Sequence, residues 1–147
     1  MNTRVVRTLA AVGVVAGLTV SAHADAPAGR YAITNGTVYD TKTKLTWQQA
    51  VPSTKYAWAD AKTYCSGLSL AGTGWRLPTV KELQTIVDES RRSPSIDPTA
   101  FPSTPSDYFW SSSPFADSSS AAWLVHFDYG HTSSPAVSST YNVRCVR

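Results

Sequence analysis

In Gly74-Trp75-Arg76-Leu77-Pro78-Thr79-Val80-Lys81-Glu82-Leu83 an extended loop has to become a helix. Thr79 followed three residues later by Glu82 is a capping box: the hydroxyl accepts from the Glu82 amide and the carboxylate reaches back to the Thr79 amide. Pro78 keeps Leu77 out of the helical region, so the chain arrives extended and turns sharply at Thr79. Trp75 and Leu77 are then anchors in a core. Arg76 between them must reach solvent or find a carboxylate, since an unpaired buried guanidinium is too costly.

Working towards the N-terminus, Trp58, Ala61, Cys65 and Leu68 recur at helical spacing and predict a helix from Ala57 to Leu68 with Cys65 facing inward. Before it, Tyr31 to Ile33, Thr37 to Tyr39 and Leu45 to Gln48 read as short strands. Asp40 to Thr43 is a polar turn between the last two, giving a hairpin that ends on Trp47; Asn35-Gly36-Thr37 matches an N-glycosylation acceptor, but a turn at Asn35-Gly36 is the favoured reading. Residues 1–24 carry Arg4 and Arg7, an apolar run from Leu9 to Val20, and Ala22-His23-Ala24 as a small-x-small cleavage site; they are expected to be a secretory signal, leaving residues 25–147 as one domain.

The net charge of +3 includes Arg4 and Arg7, so the expected mature chain holds 11 basic against 10 acidic residues. No basic stripe is visible, which argues against nucleic acid as a partner. Two cysteines in an exported chain, Cys65 and Cys145, most simply form one disulfide, tying the first helix to the last strand. Two thiolates alone are a poor structural zinc site, which wants four ligands.

Towards the C-terminus, the second helix is predicted from Val80 to Glu89, burying Val80, Leu83 and Val87. Pro94, Pro98, Pro102 and Pro105 mark a long irregular crossing pinned by Ile96 and Phe101. Tyr108 to Ser112 reads as a strand. From Ala121 to Phe127, alternation puts Trp123, Val125 and Phe127 on one face and Leu124, His126 and Asp128 on the other, the latter expected to face solvent. Tyr141, Val143 and Cys145 alternate likewise, so the chain is expected to finish inside the sheet.

In order along the chain, several motifs now form one set. They are Val38-Tyr39-Asp40 with Thr43-Lys44-Leu45-Thr46-Trp47, Trp58-Ala59-Asp60-Ala61 with Cys65, and Trp75-Arg76-Leu77-Pro78-Thr79 with Glu82-Leu83. Phe109-Trp110-Ser111-Ser112, Ala122-Trp123 with Phe127 and Gly130, and Val143-Arg144-Cys145-Val146-Arg147 complete it. The set resembles the Lcl C-terminal domain family, a bacterial module first named from a collagen-like adhesin. The resemblance implies an α+β, C-type-lectin-like fold with two helices, a small twisted antiparallel sheet and a long loop region able to carry a site. The Trp-Arg-Leu-Pro-Thr piece is also similar to a stretch in formylglycine-generating enzymes. The chain lacks the Glu-Pro-Asn, Gln-Pro-Asp and Trp-Asn-Asp triplets with which calcium-dependent lectins hold sugar.

Catalytic constellations fare worse. Gly67-Leu68-Ser69-Leu70-Ala71 comes close to a nucleophile elbow but follows a helix, not a strand. Asp88 and Glu89 are adjacent and diverge on a helix, and Asp97 and Asp107 fit turn and capping roles. His126, Asp128 and His131 could supply three metal ligands around the turn at Gly130, although a solvated face or ligand-contact loop is the favoured reading. Arg91-Arg92 either meets an acidic ligand or complements the dipole of the preceding helix, the second being favoured. Trp47, Trp58, Trp75 and Trp123 are phased for the core; Trp110 and Tyr129 lie nearer loops and are the better candidates to stack on a sugar, although core packing is the favoured role for Trp110.

The expectation is a non-enzymatic, exported binding module, without cofactor or resident metal, in the secreted, periplasmic or cell-surface space. Its partner would be glycan or an envelope protein, and its candidate ligand residues are Trp110, His126, Asp128, Tyr129, His131, Arg91 and Arg92. A structural protein of the envelope is the alternative, and a metal-dependent enzyme using the histidines a third.

Overall fold

The computed structural model describes residues 27–147; the expected export signal lies outside them. Among these residues no helix is long and apolar enough to cross a membrane. The order of elements is β1 (Tyr31–Thr34), β2 (Thr37–Asp40), β3 (Thr46–Gln48), α1 (Trp58–Ser66), α2 (Val80–Gln84), β4 (Tyr108–Pro114), β5 (Ala122–His126) and β6 (Thr132–Ser133). They form an α+β fold with two antiparallel three-stranded sheets, β1-β2-β3 and β4-β5-β6, where a single sheet was expected.

Asn35 and Gly36 both take positive φ, +50° and +75°, which lets Thr34 pair with Thr37 across a tight hairpin. At α2 the capping box is complete in both directions. Arg76 finds its carboxylate: Nη1 and Nη2 donate to the two oxygens of Glu82 at 2.8 and 2.5 Å. One glutamate therefore caps the helix and clamps the loop that leads into it.

Helix α2 stops at Gln84, five residues short of the expected end. The Thr85 hydroxyl donates to the Glu82 carbonyl, Ile86 and Val87 donate three residues back, and the Asp88 amide is captured by the Ser95 carbonyl of the crossing. Tightening to three residues per turn brings Ile86 beneath Leu83 and fully buries it, leaving Val87 half-buried. Arg91-Arg92 thus lies well beyond any helix terminus, and the dipole reading of that pair fails.

Two cores result. One gathers Val38, Trp47, Leu83, Ile86, Ile96, Phe101, Phe109, Val125, Phe127 and Val146, so Ile96 and Phe101 pin the crossing as expected. The other gathers Ala61, Cys65, Trp75, Leu77, Trp110, Leu124, Val143 and Cys145. Strand β5 separates them, sending Val125 one way and Leu124 the other; the face expected to be solvated is buried at Leu124 and half-buried at His126. Trp58 and Trp123 are also only half-buried, unlike Trp47 and Trp75.

The last residues separate the cores in the same way, but not as a regular strand of either sheet. They pair through isolated bridges, Tyr141 with Tyr56, and Val146 with both Trp47 and Arg76. Val143 and Cys145 enter one core and Val146 the other. Cys65 and Cys145 are disulfide-bonded, with Cα atoms 5.4 Å apart.

Two outcomes follow from these ties. Closing 80 residues of chain, the disulfide stabilises the fold by about 4–5 kcal/mol in the chain-entropy account, so urea denaturation of Cys65→Ala/Cys145→Ala should show a loss of that order. The Arg76 bonds, working against partial burial and helped by Thr79, hold Glu82 down to about 2. A carboxylate depressed on folding stabilises above its unfolded pKa of about 4.3, and that contribution fades as pH falls through the folded value. Glu82→Gln should therefore be less stable at neutral pH and lose less stability than wild type between about pH 4 and 2.

Candidate functional site

The residues expected to meet a ligand divide into a core residue and two surface groups. Trp110 is fully buried and its indole N–H donates to the Tyr56 carbonyl at 2.9 Å, so neither ring face is open to a sugar. The reason is the pleat: Trp110 pairs with Leu124 in the register of β4 and β5, on the side of the second core.

The first surface group sits at the tip between β5 and β6. Gly130, at φ +78°, donates its amide to the His126 carbonyl, and the His126 amide donates to the His131 carbonyl, closing the turn. A Cβ on Gly130 would come within 2.5 Å of Val87 Cγ1, so the tip packs on the chain leaving α2 only because position 130 is glycine. Tyr129 projects from this tip, 57% exposed, with the Arg92 guanidinium 5.0 Å from its ring centroid. Asp128 accepts the Ser93 hydroxyl at 2.5 Å, and Arg91 is ion-paired to Asp88 at 3.2 Å.

The second group is a run of rings. His126 packs 4.1 Å from Tyr108 and 4.8 Å from His131, and Tyr108 continues through Tyr141 to Trp110. Asp128, bonded to Ser93, does not close a triad with the histidines: among the described residues no three His, Cys, Asp or Glu side chains converge as metal ligands. Asp97 and Asp107 serve turns, Asp97 accepting from the Thr99 and Ala100 amides and Asp107 from the Tyr108 amide.

Two open clefts lie elsewhere, along the outer side of α1. Ala61 and Cys65 turn inward, which leaves Asp60, Thr63, Tyr64 and Gly67 on one outer flank and Lys62, Thr63 and Ser66 on the other. The first flank, with Tyr56, Leu68 and Ser69, lines a mainly apolar cleft of about 470 Å³. Tyr56 and Tyr64 stack at 4.9 Å, and the Tyr64 hydroxyl accepts from Gln48 Nε2 at 2.8 Å. The second flank, with Arg76, Leu77, Thr79 and Ser112, lines another of about 540 Å³. The sequence holds a signal for both: residues 60, 63, 64 and 67 form one stripe at helical spacing and residues 62, 63 and 66 another, both on the side of α1 away from the apolar one.

An α+β domain of two small sheets, stapled between its first helix and its last residues and carrying open clefts beside that helix, is the class these features define. The chain belongs to the Lcl C-terminal domain family, whose family model matches residues 36–147. No curated protein matches the chain.

Burial separates the two aromatic candidates sharply. Trp110→Ala should cost about 3–5 kcal/mol by chemical denaturation, whereas Tyr129→Ala, on the open tip, should stay within about 0.5 kcal/mol of wild type.

Proposed function

We propose that the chain is an exported, non-enzymatic binding module of C-type-lectin-like fold that recognises a glycan of the cell envelope or its surroundings, acting in the secreted, periplasmic or cell-surface space. The observation that carries this reading is the cleft of Tyr56, Asp60, Thr63, Tyr64, Leu68 and Ser69 beside α1. It combines what a sugar needs: aromatic rings for the C–H face of a pyranose, and a carboxylate and hydroxyls for its hydroxyl groups.

Its size falls within the range of small-molecule sites, and its walls are fixed. Helix α1 is held from below by the Cys65–Cys145 bond and by the Trp58 indole, which donates to the Ser111 carbonyl at 2.7 Å. A rigid wall lowers the entropic cost of holding a ligand. The tip carrying Tyr129 and Arg92 offers a second contact surface for a longer chain, with one aromatic ring and one cation side by side.

A glycan array probed with the purified protein tests the reading. Retention of at least one glycan class, reversed by the same sugar free in solution, is the expected result; an array with no retained sugar at low salt rejects it.

A further inference from the structure

We propose that the cleft beside α1 selects a neutral sugar, an uncharged hexose or N-acetylhexosamine, over an acidic or sulfated one; this deepens, and rests on, the glycan-binding reading above. The inference comes from the sign and placement of charge around the cleft.

Asp60 supplies the one formal charge among the seven lining residues, and that charge is negative. Its carboxylate is exposed and forms no ion pair among the described residues, so its oxygens are open to a ligand. The nearest cation on the same helix faces away: Lys62 Nζ sits 3.5 Å from the centroid of the Trp58 ring. Across the helix, Arg76 has both terminal nitrogens on Glu82. A carboxylate or sulfate on the sugar would meet Asp60 with no counter-charge among the lining residues, and like charges held side by side repel.

A neutral pyranose meets complementary groups instead. Its hydroxyls donate to the Asp60 carboxylate, forming charge-assisted bonds stronger than neutral ones. Because the Tyr64 hydroxyl accepts from Gln48, its own proton is left to donate to a ring or glycosidic oxygen. The apolar C–H face lies against the tyrosine rings and Leu68, matching a lining that is mostly apolar.

The test is titration calorimetry of the purified protein with neutral, uronic-acid-containing and sulfated oligosaccharides, repeated on Asp60→Lys and Asp60→Asn. Residue 60 is exposed, and circular dichroism verifies that both variants keep the fold. The expected result is measurable binding of a neutral oligosaccharide that weakens about tenfold or more in Asp60→Lys and less in Asp60→Asn, which keeps an acceptor oxygen. Preference of wild type for acidic sugars, or neutral-sugar binding unchanged in Asp60→Lys, overturns the neutral-sugar assignment while leaving glycan binding in place. Absence of binding to every sugar overturns both.

Discussion

Everything in the molecule closes on residues 141–147. The Gln48 amide donates to the Cys145 carbonyl, the Thr46 amide to the Arg147 carbonyl, and Arg76 and Val146 exchange both amide bonds at 2.9 Å. One segment thereby joins β3 to the loop that enters α2. Without it, β3 loses its pairing to the loop that enters α2, one core loses Val146 and the other loses Val143 and Cys145. Arg144 is the most demanding part of the arrangement: fully buried, with no carboxylate partner among the described residues, it donates to the Gln48 and Gln49 carbonyls and the Thr104 hydroxyl. Its guanidinium also lies 4.6 Å from the Phe101 ring. Burial pulls its pKa down to about 9, because an interior without water disfavours the charged form. Fixed carbonyls and a ring face offset that cost where an acid would ordinarily be expected.

The parts legible in the sequence were those governed by local chemistry. The Thr79–Glu82 cap, the Asn35-Gly36 hairpin and the inward phase of Cys65 each depend on a few neighbouring residues, and all are present. Arg76 also resolved as foreseen, because a guanidinium between two anchors has few options. The features not legible locally depended on distant chain. The early end of α2 was set by Ser95 capturing the Asp88 amide, and the burial of Leu124 by a second core on the far side of β5. Alternation at Tyr141, Val143 and Cys145 located one buried face correctly, but a segment buried on both sides gives the same pattern on that face while hiding Arg144 on the other.

The candidate site shows the same division. Trp110 sits in a strand near polar loops, and its pairing with Leu124 gives it the core role that was favoured over stacking on a ligand. Tyr129, Arg92 and the two histidines are near the surface, but they split between the tip and a packed row of rings. The cleft beside α1 lies on the helix side that carries Asp60, Thr63 and Tyr64, opposite the apolar stripe that marks the helix in the sequence. Both sides follow from one periodicity, so fixing the buried stripe of α1 also fixes which residues line its clefts.

The place of Val146 between Trp47 and Arg76 has a bearing on biosynthesis. Contacts that bridge roughly a hundred positions along the chain make for slow, late-closing topologies. While residues 141–147 remain inside the ribosome, the amides of Gln48 and Arg76 have no acceptors and Cys65 has no sulfur to meet. Neither core can therefore be completed until residues 141–147 have emerged, because Val146 belongs to one and Val143 and Cys145 to the other.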